Sequence, residues 1–311
     1  MHSKKELGKK IRLLRETNQL SRETFCEDES QLTVRQLARI ESGQSLPSLY
    51  KLEFICNQLH IPLSFLLEEK YLTPPFEYYQ IKDRLMNFAS YGLKNKIQEK
   101  DDLYEIVFQK YYDYLPEEEQ IAIDIMHATS DVVNEHIDLY GQAIIDEYFD
   151  QVKLKSSYTL NDLLIIRLYL SQVDFTNEQY FDDNLIDTML SKVLNQVDFI
   201  HYNMVNFGIS FYIDSITTLF HYKNFNRIEE ILTCLDTLIH IDKKAEDLII
   251  CTMLKAKWYL YAKNSIPMTK YFYQQAIDYA NLFNEVFLAD KLTDELELDL
   301  KRFATGKFDL A

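Results

Sequence analysis

The chain has 311 residues, 33 Lys and Arg against 49 Asp and Glu for a net charge of −16, and only 6 Gly and 6 Pro. That length suits two domains better than one, because single cores stop growing near ~250–300 residues, and the scarcity of turn-forming residues excludes a sheet-rich fold in favour of helices on short loops. The first residues are charged with no apolar stretch behind them, and the longest apolar run, 163–170, is broken by Arg167, so neither an export signal nor a membrane span is expected.

Four cysteines, Cys26, Cys56, Cys234 and Cys251, lie far apart without the paired short spacing of a zinc site. They read as buried thiols of a cytoplasmic protein with no metal and no cofactor. Charge is shared unevenly: residues 1–70 carry 11 Lys/Arg and 10 Asp/Glu, net +1, whereas residues 71–311 carry 22 and 39, net −17. Within residues 1–22, seven cations face two glutamates, a local +5 suited to approaching phosphates. The acidic total therefore leaves nucleic acid open as a partner of the amino-terminal part.

In chain order, Leu7, Ile11 and Leu14 with charges between them predict an amphipathic first helix ending near Asn18. Ser21 is placed to cap a second helix through Thr24, Phe25 and Cys26. Thr33 caps a third, residues 33–42, with Leu37 and Ile40 pointing inward and Gly43 supplying the turn after it. Beyond Pro47 and Ser48, the spacing of Leu49, Leu52, Ile55 and Leu59 predicts a fourth, and a short fifth follows Pro62 with Phe65, Leu66 and Leu67. Arg35 and Arg39 stand i, i+4 on the third helix and share the face opposite Leu37 and Ile40. Arginine can donate two hydrogen bonds to guanine O6 and N7, a contact worth about 1–3 kcal/mol of discrimination, which makes this pair the candidate base readers; a merely solvated helix face is the competing reading.

Five short helices, with Leu7, Gly8, Ile11 and Arg12 at the front and Ile40, Glu41, Gly43, Pro47 and Ser48 in the middle, resemble the lambda-repressor-like (XRE) helix-turn-helix domain. The resemblance implies that the third helix enters the major groove of double-stranded DNA. It also implies that Thr33, Val34 and Gln36 contact bases or phosphates at the helix entrance, and that Arg15 pairs with Glu41. Ser21, Arg22 and Ser45 flank the unit where backbone N–H groups and hydroxyls hold phosphates.

From residue 71 onward the composition changes, since 21 of the 22 Tyr and 16 of the 19 Phe lie there. Hydrophobic periodicity predicts helices near 76–89, 97–114, 117–128, 130–153, 160–172, 178–195, 199–222, 225–241, 245–263, 266–283 and 286–303. Residues 256–262 and 270–280 look like a tetratricopeptide helix pair with second-helix packing positions Thr269, Tyr273 and Ala276. The same spacing recurs at Ile228, Leu232, Leu235 and at Ile186, Leu190, Val193. These positions predict an α-solenoid of helical hairpins with a concave groove. Polar stripes on the first helices, Asn203, Asn206, Ser210 and Asp214 on one, Arg167 with Ser171 on another, Thr252 with Lys255 and Tyr259 on a third, suit an extended peptide backbone, which amides can both donate to and accept from. A solvated face is the alternative.

The whole pattern, all-α with an XRE helix-turn-helix domain at 1–68, a linker at 69–76 and a tetratricopeptide-like domain at 77–311, resembles the RRNPP family of bacterial peptide-pheromone receptors, and within it the Rgg-like ComR type. The residues that carry this include Thr33 to Glu41, Glu77, Arg84, Leu115, Pro116, Glu117 and Asn161. The resemblance implies quorum sensing through an imported hydrophobic peptide, homodimerisation on binding it, a palindromic operator, and control of competence or bacteriocin-type genes. It further implies a peptide contact along residues 84–100, from Arg84 onward, with Lys100 toward a C-terminal carboxylate and Ser90 toward the peptide backbone. Here that stretch holds Phe88, Ala89, Ser90, Tyr91 and Gly92, where the family is commonly more basic and carries proline. Autoinhibition is implied too, and Glu117, Glu118 and Glu119 are candidates to tie down Arg35, Glu117 first; N-terminal helix capping by these acids is the bland alternative.

Two rivals remain. An enzyme centred on His127, Glu135 and His136 lacks the His-Glu-x-x-His spacing, and the sequence has no glycine-rich phosphate loop. An XRE repressor whose helical domain binds another protein, or only itself, differs from a pheromone receptor in binding its promoter without peptide.

Overall fold

The structure, a computed structural model, describes residues 2–66, 74–88, 94–196, 198–200, 204–242 and 244–306. It divides into two compact units, Met1–Leu168 and Tyr169–Ala311. All regular structure among the described residues is helical, apart from an isolated parallel bridge between Leu46 and Pro116.

The first unit opens with α1 (His2–Thr17), α2 (Arg22–Cys26), α3 (Val34–Glu41) and α4 (Leu49–Leu59). Each of the three short helices begins where a hydroxyl replaces a missing intrahelical acceptor: Ser21, Thr33 and Ser48 accept from the N–H of Thr24, Gln36 and Lys51. Ile11, Phe25, Leu37, Ile40, Leu52 and Ile55 meet in a sealed core, each contributing about 1.5–3 kcal/mol by leaving water. Gly43 takes φ 72° after α3. Gly8 lets α1 approach the carbonyls of Ile40 and Glu41 so closely that any Cβ there would collide with them. Past Pro62 the described chain makes a single 3-10 turn, Leu63–Phe65; Leu67 lies outside the described residues.

The same unit continues through α5 (Phe76–Met86), α6 (Lys94–Lys110), α7 (Glu117–Glu135), α8 (Leu139–Leu154) and the start of α9 (Leu160–Phe175). The expected break at residue 129 is absent. Thr129 returns its hydroxyl to the Ile125 carbonyl, and Asn134 donates to the buried Ser130 hydroxyl, so polar residues that read as punctuation are satisfied inside α7. That helix ends instead at His136, which adopts the left-handed conformation at φ 56°, ψ 32°.

The second unit contains α10 (Asp183–Gln196), α11 (Val205–His221), α12 (Ile228–Asp242), α13 (Ala245–Tyr261), α14 (Ile266–Leu282) and α15 (Val286–Thr305). The repeat positions Ile186, Leu190 and Val193, Ile228, Leu232 and Leu235, and Thr269, Tyr273 and Ala276 are all buried. Helix α11 starts at Val205 rather than near 199, with the buried Phe199 ahead of it packing on Phe207 and Phe211. Asp299 fixes α15: it is fully buried and accepts from Lys257 Nζ at 2.8 Å, Tyr261 OH at 2.8 Å and Tyr273 OH at 2.5 Å.

Candidate functional site

The third helix of the first unit is built to present two guanidinium groups. Thr33 and Gln36 close a reciprocal capping box, each backbone N–H meeting the other's side chain at 3.1 Å. Gln36 is buried in doing so, and the box leaves Val34, Arg35 and Arg39 as the half-exposed or exposed side of the helix. Behind them, Glu41 anchors α3 to α1 and α2. Its carboxylate accepts from Arg15 Nε at 2.5 Å, Arg15 Nη2 at 3.1 Å and Arg22 Nε at 2.8 Å. Arg15 also donates to the Leu20 carbonyl, and its hydrogen bond to Glu41, acting against burial, raises its pKa above the usual arginine value. Ser21 is engaged as the α2 cap, and Ser45 is buried with its hydroxyl lacking a hydrogen-bond partner among the described residues.

Helix α8 lies against this face within the same unit. Glu147 stands 3.4 Å from both Arg35 Nη2 and Arg39 Nη1. One turn on, Gln151 Nε2 donates to the carbonyls of Glu29 and Ser30, at 2.7 and 2.8 Å, in the loop that leads into α3. Burial opposes the charge on Arg39, but Tyr148, Glu147, Glu117 and Tyr112 around it outweigh that and raise its pKa. The start of α7 supplies a second hold. The Glu117 N–H donates to the Leu46 carbonyl at 2.5 Å, and its carboxylate takes Lys51 Nζ at 3.1 Å, both side chains buried. Lys4 adds a contact to the Asp113 carbonyl.

The acids singled out in the sequence are therefore distributed differently from expectation. Glu117 pairs with Lys51, not Arg35, because it sits at the first turn of α7 beside α4. Glu119 accepts from Tyr78 OH at 2.7 Å and Lys82 Nζ at 2.6 Å, tying α7 to α5. Glu118 offers its backbone carbonyl to Asn161. The partner of Arg35 and Arg39 is Glu147, which sequence reasoning missed; its only signal is a shared helical face with Tyr140, Ile144 and Gln151. Between α3, α7 and α8 these side chains enclose a cleft of about 410 Å³ that Arg35 and Arg39 line.

The residues expected to meet a peptide fall in both units. In the first, Arg84 forms an ion pair with Glu99 across the α5–α6 pair, beside the half-buried Lys100, and Arg167 is half-buried on α9. In the second, Ser171 is buried, Asn206 accepts from Lys244 Nζ at 2.8 Å, Ser210 is half-buried and Lys255 grips Asp236 at 2.5–2.6 Å. Ser90 and Asn203 lie outside the described residues. Among the described residues no cluster of His, Cys, Asp and Glu suits a metal ion, and no helix is long and apolar enough to cross a membrane.

The model of the ComR tetratricopeptide family matches residues 75–296. Among solved structures, the apo competence regulator ComR from Streptococcus vestibularis is 30% identical over 96% of this chain and 99% of its own, with a TM-score of 0.85. Apo ComR from S. thermophilus gives 31% identity, 94% and 99% coverage and a TM-score of 0.82. The S. thermophilus protein in complex with DNA and its signalling peptide ComS matches at 29% identity, with 94% and 99% coverage and a TM-score of 0.65. No match was found among curated proteins. A family model that covers well over half of the sequence, together with relatives of 30–31% identity matched across nearly their whole length, shows that the chain belongs to the ComR family.

Proposed function

We propose that the protein is a cytoplasmic transcription regulator, not an enzyme, that binds a palindromic promoter site as a homodimer when a short imported hydrophobic peptide occupies its tetratricopeptide-like domain. Residues 1–68 are the DNA-binding domain, 69–76 the linker and 77–311 the peptide-binding and dimerisation domain. Arg35 and Arg39 read base edges in the major groove. Val34 lies beside them, while Thr33 and Gln36 shape the helix entrance, and Ser21, Arg22 and Ser45 serve phosphates. Lys100 meets the peptide's carboxylate; Arg84, Ser90, Arg167, Ser171, Asn203, Asn206, Ser210 and Lys255 line its path, Asn206 and Lys255 exchanging their present partners for it. Competence or bacteriocin-type genes are the expected targets.

The observation that carries this reading is the pairing of both guanidinium groups with Glu147, an acid on α8 outside the helix-turn-helix domain. The face that would meet DNA is the face held by an internal carboxylate, so DNA and the closed state compete for the same two side chains. Peptide binding shifts that competition only by as much as it prefers the open state, and a tenfold preference corresponds to about 1.4 kcal/mol. An exposed ion pair supplies about that much or less.

The test is a mobility-shift assay on DNA from the protein's own upstream region, with and without short hydrophobic peptides encoded by neighbouring small reading frames. Peptide-dependent retention is expected, and the Arg35→Ala/Arg39→Ala double variant should abolish it. Full affinity in that variant would remove the assignment of α3 to DNA, and equal retention without peptide would remove the gating.

A further inference from the structure

The cleft between α3, α7 and α8, about 410 Å³ in volume, is the size of a small-molecule site. One wall carries the guanidinium groups of Arg35 and Arg39. Facing them are Glu147 and Asp124, and the Tyr112 hydroxyl donates to Asp124 at 2.6 Å. Glu117 also lines the cleft: it is 2% exposed, one carboxylate oxygen takes Lys51, and the other is buried without a hydrogen-bond partner among the described residues. A buried acceptor left unpaired costs about 1–3 kcal/mol, more when charged, so the site wants a donor. Ile121 and Ile144 add an apolar surface.

On the lining itself the two guanidinium groups stand on α3, whereas the carboxylates of Glu117, Asp124 and Glu147 stand on α7 and α8, with Lys51 behind Glu117 outside the lining. A phosphate would be repelled by one wall as strongly as the other attracts it. A ligand carrying one carboxylate and one ammonium a few ångströms apart satisfies both. We infer that the cleft binds a free α-amino acid with an apolar side chain. Its carboxylate lies across the Arg35 and Arg39 fork, its ammonium donates to Glu117 and Asp124, and its side chain packs on Ile121 and Ile144. An occupied cleft holds both arginines away from DNA, a consequence that rests on the function proposed above; the binding itself does not.

Isothermal titration calorimetry on the full chain separates the two. L-leucine and L-phenylalanine should bind at millimolar concentration, whereas N-acetyl-L-leucine and L-leucinamide, each lacking one charge, should bind roughly tenfold more weakly or less. Asp124→Asn should weaken binding similarly, and Ala143→Trp, at an exposed position on the rim of the cleft, should abolish it by filling the space. Absence of heat with both amino acids, equal binding of the two derivatives, or undiminished binding in Ala143→Trp would each overturn the site. In the mobility-shift assay, leucine should lower DNA retention of the parent chain and leave Ala143→Trp unaffected. Leucine that binds yet leaves retention unchanged would overturn the coupling, whereas loss of the DNA assignment itself is read without any amino acid, from the arginine double variant.

Discussion

Two glutamates of the first unit each hold a pair of arginines, under very different conditions. Glu41 is 1% exposed, with Arg15 at 2.5 Å and Arg22 at 2.8 Å, and Arg15 is itself sealed from water. Glu147 stands 3.4 Å from Arg35 and Arg39, whose side chains remain 70% and 43% exposed. Removing one partner of a buried pair strands the other charge and costs about 3–5 kcal/mol, while an exposed pair is worth about 0–1 kcal/mol. The first is a brace that any working state of the domain must keep. The second is weak enough to be given up for a phosphate backbone and a base edge.

Breaking the brace should have the largest effect. Glu41→Ala is expected to destabilise the helix-turn-helix domain by about 3–5 kcal/mol, read as a lower midpoint in urea unfolding followed by circular dichroism. The Asp299→Ala change should act similarly on the second unit, because it leaves Lys257 buried at the α13–α15 contact with Glu295 as its one carboxylate partner among the described residues. A midpoint unchanged in either variant would show that these networks are incidental to stability.

The second unit offers a sharper contrast through pH. Asp174 on α9 is held by the Thr218 hydroxyl at 2.6 Å and His221 Nδ1 at 3.4 Å, with Asp214 nearby, and burial pushes its carboxyl up to about 6 from an ordinary 3.8. The folded state then binds a proton more readily than the unfolded chain between roughly pH 4 and 6, so this group's contribution falls as pH rises through that window. Acidifying from pH 7 to 5 should stabilise the unit by about 1–2 kcal/mol through Asp174, and Asp174→Asn should remove that slope. An identical slope in the variant would assign it to other carboxyls.

These contrasts also mark what could be read in the sequence. Hydroxyl caps at Ser21 and Thr33, the inward spacing of Leu37 and Ile40, and the repeat positions on α10, α12 and α14 depend on neighbours within a turn or two, so spacing alone reveals them. The Arg15–Glu41 brace was legible only through family resemblance. The partner of Arg39 lies 108 residues away. Nothing local distinguishes Glu147 from Glu117, since either acid could face α3 until the packing of α7 and α8 is known. Polarity misled at residues 129–131, where side chains that usually interrupt a helix find acceptors and donors inside it.

The smallest free-energy change addresses the regulatory contact directly. Glu147→Gln keeps the shape of the side chain and removes the charge that holds Arg35 and Arg39, so the closed state should lose at most about 1 kcal/mol. That predicts a rise of no more than ~5-fold in peptide-independent DNA retention, with unfolding midpoints shifted by no more than that pair's worth because both arginine side chains keep much of their exposure. Glu117→Ala should raise retention too, but it also strands the buried Lys51 and should lower stability by several times as much. A variant that releases DNA binding without loosening the fold is what separates a switchable contact from a structural one; if Glu147→Gln leaves basal retention unchanged while Glu117→Ala raises it, the hold on α3 resides in the α4–α7 contact and the Glu147 pair is incidental.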